Sequence, residues 1–193
     1  MSKLTKWVLR ILGVIIGIAL LFNFVIGPVM KNQTKKHSPE QNITHTQNVL
    51  EIKAFYCSPA KKDRKIFGEL VPYNEVWRTG ANEATTFTTN RDLTINGKLL
   101  KTGTYSLWTI PNEKSWQVIF NTKMYGWGVK FTDQSASREP EYDALVTEAK
   151  VSKSLTTTEN FTISFVETSY EACIMTIAWD DVVVPIKMMA TYQ

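Results

Sequence analysis

Histidine and cysteine are scarce in this sequence, and their positions limit the chemistry that the chain can perform. The two histidines, His37 and His45, both lie in a polar stretch near the N-terminus, so the sequence after residue 47 contains none. That absence excludes a Ser-His-Asp triad, a Cys-His pair and a histidine-ligated metal from this part of the chain. The two cysteines, Cys57 and Cys173, show no CxxC spacing. They are either two buried free thiols or one disulfide that closes a long loop.

Excess charge of one sign is also missing from most of the chain. The pI near 9.0 suggests a nucleic-acid partner. However, residues 1–47 carry six Lys or Arg against the single acid Glu40, a net charge of +5. Residues 48–193 carry sixteen basic and seventeen acidic side chains, a net charge of −1. A folded part with that balance does not attract phosphates, so we expect no nucleic-acid partner.

The longest apolar run lies at the N-terminus, and it predicts a membrane segment over residues 1–30. From Ile11 to Met30 the only strongly polar residue is Asn23, and twenty helical residues cover the roughly 30 Å hydrocarbon core. The run is longer than the apolar part of a signal peptide and lacks a small-x-small cleavage site, which favours an uncleaved signal anchor. Basic residues before the run, namely Lys3, Lys6 and Arg10, indicate a cytoplasmic N-terminus and a C-terminal domain facing the periplasm or outside.

Two glycines in the apolar run, Gly13 and Gly17, have the spacing of a helix-pairing motif. They predict a weak helix-mediated dimer in addition to the membrane contact. The same spacing is frequent by chance in apolar helices, so a helix without a partner is the alternative.

Composition and periodicity change twice after this segment. Residues 31–47 are almost entirely polar and bury too little apolar surface to fold, so we expect a tether. From residue 48 onward apolar side chains recur with period two, Asn96-Gly97 is a hairpin signal, and Asp180-Asp181 indicates another turn. We therefore predict that residues 48–193 form an all-β domain, an antiparallel β-sandwich of about eight or nine strands. The one helix expected in it is short, around Glu139–Leu145.

Several motifs in the predicted β-domain resemble those of a family of bacterial envelope proteins that is catalogued as a domain of unknown function. The most specific runs from Val71-Pro-Tyr through Val76-Trp-Arg-Thr-Gly-Ala-Asn-Glu-Ala-Thr85, and Tyr56-x-x-Pro59 is another. The resemblance implies an exported β-rich domain, although here an anchor and tether replace the usual cleaved signal. The family's usual polar residue after the Tyr of Tyr-x-x-Pro is Cys57 in this chain. No activity is assigned to the family, so the resemblance implies no catalytic residue.

The bend after Pro72 concentrates charged residues that have two interpretations. As a site, Arg78 would clamp a carboxylate or sugar hydroxyls, with Glu83 and Glu75 as acid and base. As scaffolding, Arg78 and Glu83 would pair with each other and with loop carbonyls. The other polar candidates of this region are Arg64 and Asn82.

Aromatic side chains are the second class of candidates, because sugars stack on the faces of Trp and Tyr. The alternative is that these rings fill the core, as most aromatics in a sandwich do. The aromatic candidates are Tyr73, Trp77, Trp108, Tyr125 and Trp127.

The sequence thus favours a non-catalytic binding or structural module for a glycan, a peptide or an envelope protein. The alternative is a carboxylate-dependent hydrolase or transferase that uses Arg78 and Glu83. No cofactor or metal is expected, because Asp180-Asp181 and Glu139-x-Glu141-x-Asp143 read as solvated turns.

Overall fold

The structure is a computed structural model that describes residues 2–191. The chain divides into two compact units at the boundary between His37 and Ser38. The first unit is helical and the second is built from β-strands. Each unit is therefore described by itself.

The first unit is one continuous run of helix from Lys3 to His37, 35 residues long. It comprises α1 (Lys3–Leu21), a π-helical turn (Phe22–Ile26) and α2 (Gly27–His37). The Ser2 hydroxyl caps its start by accepting a hydrogen bond from Thr5 N at 3.1 Å. The π-helical turn precedes Pro28, which has no N–H to donate to the helical ladder, so the backbone changes its hydrogen-bond spacing there.

This helix is long and apolar enough to cross a membrane, as predicted. The mean hydropathy of its 18-residue window is 2.5. The Asn23 side chain donates to Ala19 O at 3.0 Å, so its amide is satisfied within the helix. Among the described residues, and apart from the chain neighbours and the adjacent backbone of the same helix, no heavy atom lies within 4 Å of where a Cβ on Gly13 or Gly17 would be. The face predicted for helix pairing is thus open, and the pairing itself stays a prediction.

Two antiparallel sheets form the second unit, which confirms the predicted fold class. The strands are β1 (Glu40–Gln47), β2 (Leu50–Cys57), β3 (Thr86–Thr89), β4 (Leu93–Ile95), β5 (Lys98–Leu100), β6 (Gly103–Ile110), β7 (Ser115–Asn121), β8 (Asp143–Lys150), β9 (Ser152–Ser169) and β10 (Ala172–Ala190). The first sheet has the order β1-β2-β3-β6-β7-β8, and the second has the order β5-β4-β10-β9.

The main core lies between the two sheets, because every second residue of each strand points inward. In β7, Trp116, Val118 and Phe120 are buried, and Gln117 between them is exposed. Their counterparts on β10 include Met175 and Ile177. This alternation is the period-two pattern that the sequence shows.

β10 reverses direction within its length. Nineteen extended residues span roughly 60 Å, yet Ala190 N donates to Glu171 O at 2.9 Å, so the two ends of this run meet. The left-handed residue in its middle is Asp180, with φ +57°. The reversal therefore falls at the turn that Asp180-Asp181 predicted.

The structure differs from the tether predicted over residues 31–47. The helix continues to His37, and Glu40–Gln47 forms β1, which pairs along its whole length with β2. Composition failed here because the neighbouring strand supplies the backbone hydrogen bonds that the polar side chains cannot. His45 consequently lies inside the β-domain, where it is buried and stacks on Phe165 at 5.5 Å. The inference that the folded part contains no histidine is therefore wrong.

Two smaller expectations also changed. The helix predicted around Glu139–Leu145 is a single 3₁₀ turn (Pro140–Tyr142), and β8 begins directly after it. Leu145 and Thr147 point into the core from β8, so the segment has strand rather than helix periodicity. Cys57 and Cys173 are both buried and free, and they form no disulfide.

Candidate functional site

The bend between β2 and β3 is held against the first sheet by backbone hydrogen bonds. Trp77 and Thr109 exchange two of them, with N···O distances of 2.7 and 3.0 Å. Thr85 N donates to Arg78 O at 3.3 Å and closes the bend on itself. β3 pairs with the first half of β6, and Trp77 pairs with its second half. The bend therefore extends the sheet along β6 beyond the end of β3.

Trp77 lies at the centre of the aromatic core. Its ring is 5.2 Å from that of Phe161 and stacks on Trp179 at 6.1 Å. Phe67 and Trp116 contact it edge-on. The indole N–H donates to Gly80 O at 3.0 Å, which ties the ring to the turn that follows it. These contacts pack Trp77 against the main core, and the residue keeps a partly exposed surface.

Glu83 meets a buried thiol. Cys57, at the end of β2, is 0% exposed, and its Sγ donates to Glu83 Oε2 at 3.3 Å. Burial, reinforced by the bond to Glu83 and by its charge, raises the pKa of Cys57 to about 11. A hydrogen bond with the Asn82 side chain acts against this shift and lowers the pKa of Cys57. The thiol is therefore neutral at physiological pH and serves as a hydrogen-bond donor, not as a nucleophile.

Arg78 completes this polar cluster. Burial lowers the pKa of its guanidinium, and the electrostatic effects of Cys57 and Glu83 raise it. Gly128 lies over its aliphatic stem, since a Cβ at that glycine would be 3.0 Å from Arg78 Cδ. The Nε atom is buried and has no hydrogen-bond partner in the part of the chain that the structure describes. The aliphatic stem of Arg78 thus packs against the loop at Gly128, and its guanidinium interacts electrostatically with Glu83.

Asn82 and Glu75 differ in their exposure to solvent. Asn82 is buried, has φ +56°, and donates to Ser38 O at 3.4 Å. Glu75 is exposed. The bend therefore brings Arg78, Asn82 and Glu83 together around Cys57, whereas Glu75 faces solvent.

Arg64 lies outside this cluster. Its side chain is exposed and donates to the carbonyls of Ala60 and Lys61. It stabilises its own turn. Tyr73 is half-buried, packs against the main core and lies against Gly68.

Trp108 occupies a second apolar cluster on the other face of the first sheet, with Ala84 and Ile119. Its orientation away from the main core agrees with the sequence pattern, but the ring is 0% exposed. The indole donates to Ser106 Oγ at 2.8 Å, and the Tyr125 ring covers it edge-on at 5.2 Å. Tyr125 Oη in turn accepts from Glu139 N at 2.9 Å. Among the aromatic candidates, Trp108 is fully buried, whereas Tyr73, Trp77, Tyr125 and Trp127 are half-buried.

Residues 38–188 match a family model described as a protein of unknown function, DUF2911. The chain belongs to the DUF2911 family. The match agrees with the expected membership of a family of unknown function, and its start coincides with the first residue of the β-domain. Comparisons with curated proteins and with solved structures found no match.

Cys57 is the residue of this DUF2911 domain that sequence reasoning missed. The sequence marked it only as an apolar filler or as half of a disulfide. One signal was present, because the resemblance described above implies a polar residue at this position. A polar residue that ends a buried strand requires a polar neighbour, and here that neighbour is Glu83.

Residues 2–191 of this DUF2911 chain contain no group of three His, Cys, Asp or Glu placed to hold a metal ion. Three of the acidic side chains that the sequence singled out lie beside basic ones. Asp180 lies 3.5 Å from Lys61, and Asp181 lies 2.8 Å from Lys153. Asp143 pairs with Arg138.

The DUF2911 domain also carries an open hollow on the outward face of its second sheet. Its volume is about 590 Å³, within the range of ligand pockets. Its lining is mainly apolar and hydroxyl-bearing, and it includes Thr94, Thr168, Ala172, Ile174, Lys187 and Met189. We refer to it as the Lys187 groove. Sequence reasoning missed it because it joins β9 and both ends of β10 to β4, which lies much earlier in the chain.

Proposed function

We propose that this DUF2911 chain is a single-pass, membrane-anchored binding module that binds its ligand without converting it. The N-terminal helix supplies the anchor. The basic residues Lys3, Lys6 and Arg10 before it favour a cytoplasmic N-terminus, which directs the β-domain to the periplasm or outside. The ligand class is a glycan, a peptide or a component of the envelope.

The observation that carries this proposal is that the chemically active groups of the bend are built into the packing of the domain. Glu83 accepts a hydrogen bond from the fully buried Cys57 thiol. Gly128 covers the stem of Arg78, and Trp77 lies in the aromatic core. A general acid or base must reach the substrate proton within hydrogen-bond distance, and these surroundings favour a structural role instead.

The positions of the aromatic rings bear on the ligand class. Trp108 is fully buried and Trp77 packs against the rings of the main core, which disfavours both as platforms on which a sugar could stack. The Lys187 groove offers exposed apolar surface instead, because Met189 is 52% exposed. This favours a ligand with an apolar part over a plain glycan.

One observation favours the competing function, a carboxylate-dependent hydrolase or transferase. The buried Nε of Arg78 has no acceptor among the residues that the structure describes, and a buried guanidinium donor is expected to be satisfied. A substrate carboxylate or hydroxyl would provide that acceptor, with Glu83 beside it as the acid or base.

One experiment separates the two functions. The full chain in lipid nanodiscs is incubated with decanoate, with muropeptides and with short peptides, and each mixture is analysed for binding by NMR and for conversion by mass spectrometry. We expect binding without chemical change, both in the wild type and in Glu83→Gln. Conversion by the wild type that is lost in Glu83→Gln, but kept in the exposed control Glu75→Gln, would establish the enzyme instead.

The orientation needs a separate measurement. Protease added to spheroplasts should cut residues 38–193, whereas protease added to inverted membrane vesicles should leave them intact. The reverse result would place the domain in the cytoplasm and refute that part of the proposal.

A further inference from the structure

The Lys187 groove lies on a sheet face that no other described segment of the β-domain covers. Ile174 and Met189 project outward from the two halves of β10, since the residues on either side of each point into the core. Val166, opposite Ile174 on β9, is 57% exposed and extends the apolar surface. Three adjacent strand spacings, from β9 across both halves of β10 to β4, give the face a width of roughly 14 Å.

Lys187 is the only charged residue among the described residues that line this groove. Its side chain is exposed, but its backbone is fixed from both sides by one asparagine. Asn96 N donates to Lys187 O at 3.0 Å, and Lys187 N donates to Asn96 Oδ1 at 3.1 Å. The Asn96 amide also donates to Glu148 O on β8 at 3.0 Å. These hydrogen bonds fix the backbone that carries the Lys187 ammonium beside the apolar surface.

We propose that the Lys187 groove binds an alkyl carboxylate, with the Lys187 ammonium as the partner of the carboxylate and with Ile174 and Met189 as the surface for the chain. This inference rests on the proposed binding function and names its ligand class. A single ammonium matches a single negative charge, and the apolar surface beside it gains stability by covering a hydrocarbon chain.

The state of the sheet backbone decides between an alkyl chain and a peptide. Both sides of β10 are occupied along the groove, by β9 on one side and by β4 on the other. The backbone N–H and C=O groups beneath the groove are therefore already paired in the sheet. A peptide laid on this face could not extend the sheet, so its amides would stay hydrated and would add nothing to the affinity. An alkyl chain has no such groups, and its one polar end meets Lys187.

The test uses the full chain in lipid nanodiscs with ¹³C-methyl-labelled methionine, titrated with decanoate. The Met189 methyl signal should shift and saturate. The signal of Met124, which is exposed on a different loop, should not move and serves as the internal control for partition into the bilayer. Decan-1-ol, which lacks the charge, should bind at least tenfold more weakly than decanoate.

Two variants locate the site. Lys187→Gln should weaken decanoate binding at least tenfold, whereas Lys130→Gln, which changes an exposed lysine of a different loop, should leave it unchanged. Ala172→Phe fills the groove without changing charge and should abolish binding. An unchanged methyl spectrum outside the groove shows that each variant is folded, and Lys187→Arg should restore most of the affinity.

Equal affinity of Lys187→Gln and wild type, or of decanol and decanoate, would overturn the assignment of the carboxylate. Saturation of Met189 by an acetylated tetrapeptide with a free C-terminus, at lower concentration than decanoate, would replace the alkyl ligand with a peptide. Failure of decanoate alone, with another ligand bound and not converted, refutes this inference and leaves the proposed function intact. Conversion of a ligand refutes the proposed function itself.

Discussion

Replacing Trp77 with alanine should destabilise the domain more than any other single change in the bend. Its ring has edge or face contacts with Phe67, Phe161 and Trp179. Deleting a tryptophan from such surroundings costs about 3–5 kcal/mol, and the lost bond from its indole to the Gly80 carbonyl adds about 1 kcal/mol. We therefore expect a loss of about 4 kcal/mol or more in the free energy of unfolding.

Pulse proteolysis of the full chain in nanodiscs across a urea gradient measures this loss without relying on tryptophan fluorescence. With a urea dependence of about 2 kcal/mol per M, the midpoint of Trp77→Ala should fall by about 2 M. Trp127→Ala is the matched control, because that residue is also half-buried but does not pack against the main core. A midpoint for Trp77→Ala no lower than that of the control would show that Trp77 does not support the core.

Three further predictions concern the polar cluster and the two buried thiols. Arg78→Ala should cost about 2 kcal/mol in a urea melt, because it removes the cation beside Glu83; an unchanged midpoint with lost ligand binding would make Arg78 a binding residue. Gly128→Ala should cost about 1–3 kcal/mol, since its φ is +76° and the new Cβ would lie 3.0 Å from Arg78 Cδ. That cost should shrink when Arg78 is already alanine, and full additivity would contradict the contact. The folded-state pKa of the Cys57 and Cys173 thiols is about 11, above the ordinary 9.0, so stability should be complete below pH 9 and fall by about 2 kcal/mol per thiol as the pH rises toward 11. Cys173→Ala should reduce that slope in urea melts at each pH, and an equal slope would refute the assignment.

Local patterns predicted most of the β-structure because they depend on neighbouring residues. Asn96 and Gly97 both have left-handed φ values, +46° and +84°, which a tight hairpin needs, and they join β4 to β5. The turn at Asp180, whose φ is also left-handed, was likewise predicted from two adjacent residues, Asp180-Asp181. By contrast β1 was missed, because a strand of mostly polar residues is stabilised by pairing with β2 and not by its own composition.

The candidate site was predicted only in part, for a related reason. The closeness of Arg78, Asn82 and Glu83 follows from their spacing in one bend. Their shared neighbour Cys57 is 26 residues away from Glu83 in the chain and belongs to a different element. No period or motif connects them, and only the sheet brings them together. Trp108 shows the same limit, because the pattern gives the face on which it lies but not the Tyr125 ring that covers it.

The arrangement of the cluster explains why so many charged groups occur in one bend. The bond between Cys57 and Glu83 ties the end of β2 to the bend, and the stem of Arg78 ties the bend to the loop at Gly128. The same loop is fixed to the bend a second time, by Ala84 N donating to Gly126 O at 3.2 Å. The end of β2, the bend and the loop around Gly128 are thus joined at one point by a thiol–carboxylate bond, a backbone hydrogen bond and the packing of the Arg78 stem. The cluster therefore links three separate segments at this end of the domain.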